Sequence, residues 1–307
     1  SNGNILSSKK SMLIPKAGSG FIPNEMFEHH VQVAKDTLAK TLDDAGLDMN
    51  GMDCIAFSQG MGIPNSLRVG ASVARYLSLK YNKPLIGINH AIGHIEIGRL
   101  TTGAKDPVIV YISGGNTQII ARAGNRYRVF GETLDIPIGN AFDVAARVLE
   151  LKMPGGPEIE KIALGGKYIE LPYTVKGMDL SFTGVVTDAE RKYRNSASKN
   201  DIAYSLQETC FSMLTEVTER ALAQTGKDSV LVVGGVAANK RLQEMMSKMC
   251  NERNAKLFVV DDRYAGDNGS MIAWTGLLER KSGKSTRLSD SGIRQNWRTE
   301  DVNLPAI

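Results

Sequence analysis

Cysteine, aromatic residues, net charge and long apolar runs are all scarce in this chain of 307 residues. Three cysteines, Cys54, Cys210 and Cys250, are too few for a disulfide framework and form no CxxC pair, so the chemistry suits a reducing compartment such as the cytoplasm. No stretch approaches the ~18–20 consecutive apolar residues that span a bilayer. Ser1 to Lys10 is polar and lacks the apolar core of a signal peptide. A net charge of +4 permits contact with nucleic acid without demanding it, because a dedicated binder clusters its basic residues. Hydrophobic residues at 42% and charged residues at 23% exclude a disordered, collagenous or coiled-coil chain. The length predicts about two domains of ~150 residues.

What the chain has in excess is glycine, 31 residues where average usage gives about 21 or 22. The surplus sits in short clusters between apolar runs, as expected where backbone must approach a ligand.

Ile5 to Ile14 reads as an extended segment, followed by a Gly/Pro turn from Lys16 to Pro23. Glu25 to Ala45 carries apolar residues near a 3.6 period and predicts a helix, with Gly46 as its C-cap. Buried strands are expected at Cys54–Phe57, Pro84–Ile88, Val108–Ile112, Ser229–Val233 and Lys256–Val260, alternating with helices. Gln118–Ala121 and Tyr127–Phe130 continue from the strand at 108 as hairpins. Helices are expected over Leu67–Tyr81, Asn140–Leu151 and Asp201–Thr225, and a further one opens at Asp267–Ser270. Short apolar strands without polar alternation predict a buried parallel or mixed sheet in an α/β protein. The two α/β series resemble a diverged repeat. In that repeat Asn125–Phe130 and the helix at Asn140 parallel Asn2–Ser7 and the helix at Glu25.

The chain has four histidines, in two pairs. His90 and His94 follow a strand at i, i+4 spacing, which on a helix puts both imidazoles on one face, as in many metal sites. Two capped or solvent-facing histidines would give the same pattern. Ala91 stands where a zincin protease needs its glutamate, which argues against a metalloprotease. The adjacent His29 and His30 point apart on a helix and read as structural. Ser113-Gly-Gly-Asn-Thr117 is either a phosphate-holding turn or a plain hairpin turn. Gly234-Gly-Val-Ala-Ala-Asn239 is either a nucleotide turn at a helix start or a tight strand–helix junction. Asp143 lies among apolar neighbours and is most simply a cap or salt-bridge partner.

Taken in order along nearly the whole chain, these motifs resemble the catalytic subunit of the KEOPS complex, in the universal tRNA threonylcarbamoyladenosine-synthesis family, archaeal or eukaryotic type. The resemblance is carried by Ser58-Gln-Gly-Met-Gly, Ser66-Leu-Arg-Val-Gly70, Asn89-His-Ala-Ile-Gly-His-Ile-Glu-Ile97 and Tyr111-Ile-Ser-Gly-Gly-Asn-Thr117. It continues through Gly131-Glu-Thr-Leu-Asp135, Pro154-Gly-Gly-Pro157, Lys176-Gly-Met-Asp179, Ser181-Phe-Thr-Gly184, Gly234 to Asn239 and Asp267-Asn-Gly269. It implies an actin/sugar-kinase/Hsp70-like fold, two RNase-H-like domains around a nucleotide cleft. Their implied spans are 1–107 and 108–307, with the last ~20 residues returning to the first. The family's opening strand, with its Gly-x-Glu-x-Thr-like phosphate turn, has no counterpart at the start of this chain. The implied metal, iron or zinc with Mg²⁺ a further candidate, would be held by His90, His94 and Asp267, with Tyr111 near or among them. The implied nucleotide-side residues are Tyr111, Ile112, Ser113, Gly114, Gly115, Asn116, Asp143, Gly156, Glu160, Gly235 and Asn239. The implied ligand is threonylcarbamoyl-adenylate, with ATP, ADP or AMP able to take the same cleft. The implied activity is transfer of threonylcarbamoyl to N6 of the adenosine beside the tRNA anticodon. The implied partners are tRNA, a small dimerising subunit, an atypical kinase/ATPase subunit and a regulatory subunit. A kinase-like ATPase of the same fold, a glycoprotease and an assembly scaffold are the alternatives.

Overall fold

The structure is a computed structural model, and it describes residues 3–14 and 22–304. The expected turn at Lys16–Pro23 therefore lies largely outside the described residues. The first helix, α1 (Pro23–Ala45), ends at Gly46 in the left-handed conformation (φ 63°), as its sequence predicts. Strands β1 (Ile55–Gly60) and β2 (Leu85–Asn89) pair in parallel, joined by α2 (Pro64–Tyr81). Helix α3 (His90–Thr102) follows β2 without a break.

The second sheet is mixed. β3 (Val108–Ile112), β4 (Thr117–Ala123) and β5 (Arg126–Glu132) form an antiparallel meander. Helices α4 (Ile138–Val148) and α5 (Gly155–Ala163) come next, then a small hairpin of β6 (Val175–Lys176) and β7 (Asp179–Leu180). Helices α6 (Thr183–Arg194) and α7 (Lys199–Thr225) lead into β8 (Ser229–Val233), which pairs in parallel with β3. Helix α8 (Lys240–Glu252) leads to β9 (Lys256–Val259), and the short α9 (Asp262–Ala265) precedes α10 (Gly269–Lys281). The order across this sheet is β5-β4-β3-β8-β9. Every residue of β3 and β8 is buried, which accounts for their unbroken apolar sequences.

The order α1-β1-α2-β2-α3 recurs as α7-β8-α8-β9-α10, with the one-turn α9 inserted before α10. The repeat is thus real but partial, and it puts α7, not the helix from 138, in the place of α1. Of the segment Asn2–Ser7, expected to parallel 125–130, the described residues 3–7 form no strand, and the first half has no counterpart of the meander among the described residues. The faces of the first sheet are shared out by residue parity. Phe57 and Leu85 pack on α2 through Ala71 and Ala74, whereas Ile86 and Ile88 pack on Ile97 of α3 and Met271 and Ile272 of α10. Each half lends its last helix to the other's sheet. A Cβ on Gly98 of α3 would come within 2.6 Å of Val233, and one on Gly276 of α10 within 2.5 Å of Ala56.

The C-terminal segment straps across the first sheet. Thr286 bonds the edge of β2 through Leu85 O at 2.7 Å and Gly87 N at 2.9 Å. Gln59 Nε2 donates to the carbonyls of Asp290 and Gly292 at 2.7 and 2.8 Å, and Arg294 N donates to Gln59 O at 2.7 Å. Arg75 donates to the hydroxyl of the buried Ser291 at 2.7 Å and to its carbonyl. The chain then crosses to β5, where Glu300 accepts from Val129 N and Leu304 N donates to Asn125 O.

Candidate metal centre

Helix α3 starts where β2 ends because Asn89 caps it. The Asn89 side-chain oxygen accepts from Ala91 N at 3.0 Å and Ile92 N at 3.3 Å. His90 and His94 then lie one turn apart, with ring centroids 4.9 Å apart. Asp267 arrives from the loop before α10, whose own N-cap is Asn268. Its Oδ1 lies 3.3 Å from His90 Nε2 and 3.1 Å from His94 Nε2, and all three candidate ligand atoms fall within 4.8 Å of one another.

His94 is buried (1% exposed) and His90 half-buried. Asp267 is exposed, with 76% of its side-chain surface open to water. Burial pushes the His94 imidazole below its ordinary value and so keeps it neutral. Burial also works to raise the Asp267 carboxyl, but the hydrogen bonds from His90 and His94 outweigh it and hold the group ionised. Neutral imidazole and ionised carboxylate are the states a cation requires. Ligands at ~2.0–2.1 Å in a tetrahedron stand roughly 3.3 Å apart, so the two short separations already match the spacing around zinc or a similar ion. The ring nitrogen Nδ1 of His94 is buried with no hydrogen-bond partner among the described residues.

Tyr111, at the end of β3, is fully buried with its ring 5.3 Å from that of His94. Burial, then the Asp267 charge, push its phenol well above the ordinary range, so it stays a neutral hydroxyl. Asn116 Nδ2 donates to it at 3.3 Å. Ile112 is also fully buried. In the turn that follows, Ser113 Oγ accepts from Gly115 N at 3.3 Å and Asn116 N at 3.0 Å. The turn is thus closed on itself, and a phosphate would compete with Ser113 for those two N–H groups. Gly114 and Gly115 face open space.

The other nucleotide-side positions form a second group. Asp143 accepts from Gly155 N at 2.7 Å and so caps α5; burial raises its carboxyl against that bond. Gly156 faces open space. Glu160 accepts from Lys240 N at 2.7 Å, tying α5 to the start of α8. Asn239 is 6% exposed and engaged at both ends: Oδ1 accepts from Leu242 N at 3.1 Å and Nδ2 donates to Gln207 at 2.8 Å. Gly235 begins a single 3₁₀ turn, and Gly234 before it has φ 95° and lies against the Ile112 carbonyl. Gly234 therefore joins the second group to the end of β3. His29 and His30 lie apart from this region on α1, where Ser11 Oγ and Met26 O accompany them.

Gly139 and Gln207 went unread in the sequence, and Thr117 was read only as part of the turn from Ser113. Gly139, whose Cβ would meet the Ser113 carbonyl at 2.6 Å, lets α4 press on the turn; Thr117 accepts from Ile138 N at 2.8 Å and fixes the same helix; Gln207 holds Asn239. The Ile-Gly-Asn start of α4 offered a signal for the first. Thr117 was visible as the end of the Ser113 turn but not as a partner of α4, and Gln207, a polar residue inside an apolar helix, carries no signal. Two cavities of about 410 and 490 Å³ lie beside the C-terminal halves of α3 and α10, sharing Ile92, Thr275 and Glu279; neither is lined by His90, His94 or Asp267.

Known proteins resemble this chain over most of its length. Residues 3–274 match the family described as tRNA N6-adenosine threonylcarbamoyltransferase. The protein of that name from Thermococcus kodakarensis is 55% identical over 93% of this chain and 88% of its own length. Its counterpart from Archaeoglobus fulgidus is 52% identical over 98% of this chain and 92% of its own. A probable bifunctional tRNA threonylcarbamoyladenosine biosynthesis protein from Methanothermobacter thermautotrophicus is 52% identical over 99% of this chain but only 57% of its own length. Among solved structures, T. kodakarensis HypF superimposes with a TM-score of 0.60 at 14% identity, over 80% of this chain and 43% of that one. The Clostridium difficile 2-hydroxyisocaproyl-CoA dehydratase activator gives 0.52 at 14%, over 81% and 82%. These distant neighbours fix the fold as the actin/sugar-kinase/Hsp70-like class. The chain belongs to the tRNA N6-adenosine threonylcarbamoyltransferase family.

Proposed function

We propose that this protein transfers the threonylcarbamoyl group from threonylcarbamoyl-adenylate to N6 of an adenosine in tRNA. The observation that carries this reading is the family match across residues 3–274. In the reaction the N6 amine forms a bond to the carbamoyl carbon, the carbon–oxygen bond to phosphate breaks, AMP leaves, and N6 gives up a proton. No covalent enzyme intermediate is needed, so catalysis rests on positioning and on charge stabilisation.

His90, His94 and Asp267 would hold one iron or zinc ion, with Tyr111 as a neutral hydroxyl beside them. Such an ion, when bound, supplies Lewis acidity toward the phosphate or the carbamoyl oxygen. The turn from Ser113 to Asn116 would take the phosphate by exchanging its bonds to Ser113 Oγ for bonds to the ligand. The free carboxylate oxygens of Asp143 and Glu160 would accept from ribose or base, while Asn239, engaged at both ends, would order the turn from Gly234 instead of touching the ligand. We read residues 1–107 and 108–307 as the two halves of this cleft, supported by the hydrogen bonds that return residues 286–295 to the first sheet.

The partners proposed are tRNA and the small dimerising, kinase/ATPase and regulatory subunits of a KEOPS-type complex, in the cytoplasm. No helix among the described residues is long and apolar enough to cross a membrane. The test is incorporation of labelled threonine into tRNA by the protein with those subunits, bicarbonate, ATP and the adenylate-forming enzyme. Incorporation that ceases in His94→Ala is expected. No incorporation, with ATP turnover intact, would replace this reading by a kinase-like ATPase.

A further inference from the structure

Asn89 uses both ends of its side chain, and only one faces the metal-site helix. Its oxygen caps α3 at Ala91 and Ile92. Its Nδ2 donates the other way, to the carbonyls of Trp297 at 3.0 Å and Arg298 at 3.4 Å. Asn89 is 2% exposed, so water cannot replace either set of bonds without moving the backbone. The segment it grips is the end of the C-terminal strap. Arg294 N bonds Gln59 O, Gly62 N bonds Gln295 O, and the Trp297 ring lies under the Arg294 guanidinium at 4.0 Å. A Cβ on Gly60 would stand 1.9 Å from the Arg294 carbonyl, so strap backbone rests directly on strand backbone.

We infer that Asn89 is a two-ended positioning residue, which couples the seating of residues 294–298 to the helical turn that presents His90 and His94. The inference rests on the reading of His90, His94 and Asp267 as cation ligands. An amide is the one side chain of this size with an acceptor for the helix N–H groups and a donor for the strap carbonyls. Aspartate keeps the cap but sets a carboxylate against two carbonyls. Alanine loses both ends.

The experiment compares the full chain with Asn89→Asp and Asn89→Ala by three readouts: exchange of the Ala91 and Ile92 amides, tryptic cleavage after Arg294 and Arg298, and Zn²⁺ titration. In the metal-free state, Asn89→Asp should keep the two amides slow and speed cleavage about tenfold, while Asn89→Ala speeds both. Zinc affinity should fall roughly tenfold in Asn89→Ala, as for other residues that orient a ligand from behind, and fall by less in Asn89→Asp, which keeps the cap but frees the strap. Zinc should slow cleavage of the strap in the wild type and fail to do so in Asn89→Ala. Equal zinc affinity in wild type and Asn89→Ala, or equal protection of the strap by zinc in both, overturns the inference. If the wild type takes no zinc, the cation reading fails by itself, and the metal-free comparison still decides: a strap equally resistant in Asn89→Asp and wild type refutes the coupling.

Discussion

Replacing Gly234 by alanine tests the joint between the two groups of site residues. Gly234 has φ 95° and ψ 166°, a region that only glycine occupies without strain, and a Cβ there would lie 2.1 Å from the Ile112 carbonyl oxygen. A close carbon–oxygen contact is about 3.3 Å, so strand or turn must yield by about 1 Å. The backbone conformation costs about 1–3 kcal/mol. Forcing apart a packed contact costs about 1–3 kcal/mol more. The expected loss is about 2–6 kcal/mol, a large part of the ~5–15 kcal/mol that holds a domain folded. Gly235 is the internal control: its Cβ would meet nothing within 4 Å and its φ is not positive. Urea unfolding read at constant m-value measures both variants. Gly235→Ala should stay within about 1 kcal/mol of wild type. If Gly234→Ala does so too, the close approach of the turn to the end of β3 is not a constraint, and the account of how the site is joined is wrong.

Other outcomes follow from the same geometry. Asp267→Asn should reduce bound zinc or iron from stoichiometric to trace, measured by elemental analysis of the purified protein. Tyr127→Phe removes the donor to the buried Glu96 (3.0 Å), itself paired to Arg99, and should cost about 1.5–3 kcal/mol in thermal or urea melts. Asp135 accepts from Ser181, Phe182, Thr183 and Ile136; burial opposes these bonds, but together they hold its carboxyl well below the usual range. Its contribution is therefore present above the unfolded carboxylate value of about 4 and fades as pH falls below that. Asp135→Ala should flatten the stability profile below about pH 4 and cost about 1 kcal/mol at neutral pH through the lost cap on α6; an unchanged acid-side slope would count against it.

The sequence made some of this readable and left the rest silent for physical reasons. The i, i+4 histidines are local, so spacing alone exposed them. Asp267 stands 173 residues from His94, and nothing local marks it, so only the family resemblance pointed there. Gly46 was legible because a helix end demands a left-handed residue. The periodicity of α1 foretold a helix but not its depth; none of its described residues is fully buried. Asn89 was visible inside a motif, yet its second role depends on Trp297, 208 residues away. The halves could be read as a repeat, but not the exchange of their last helices, because Gly98 and Gly276 look like ordinary helical glycines until the opposite sheet is present.

That exchange sets a schedule for the nascent chain. The face of β1 around Ala56 is completed by Gly276, about 220 residues later. At roughly 5–20 residues per second, synthesis leaves that face uncovered for about 10–45 s. Until α10 is made, the apolar face of β1 and β2 that it covers passes through synthesis as an exposed, association-prone surface.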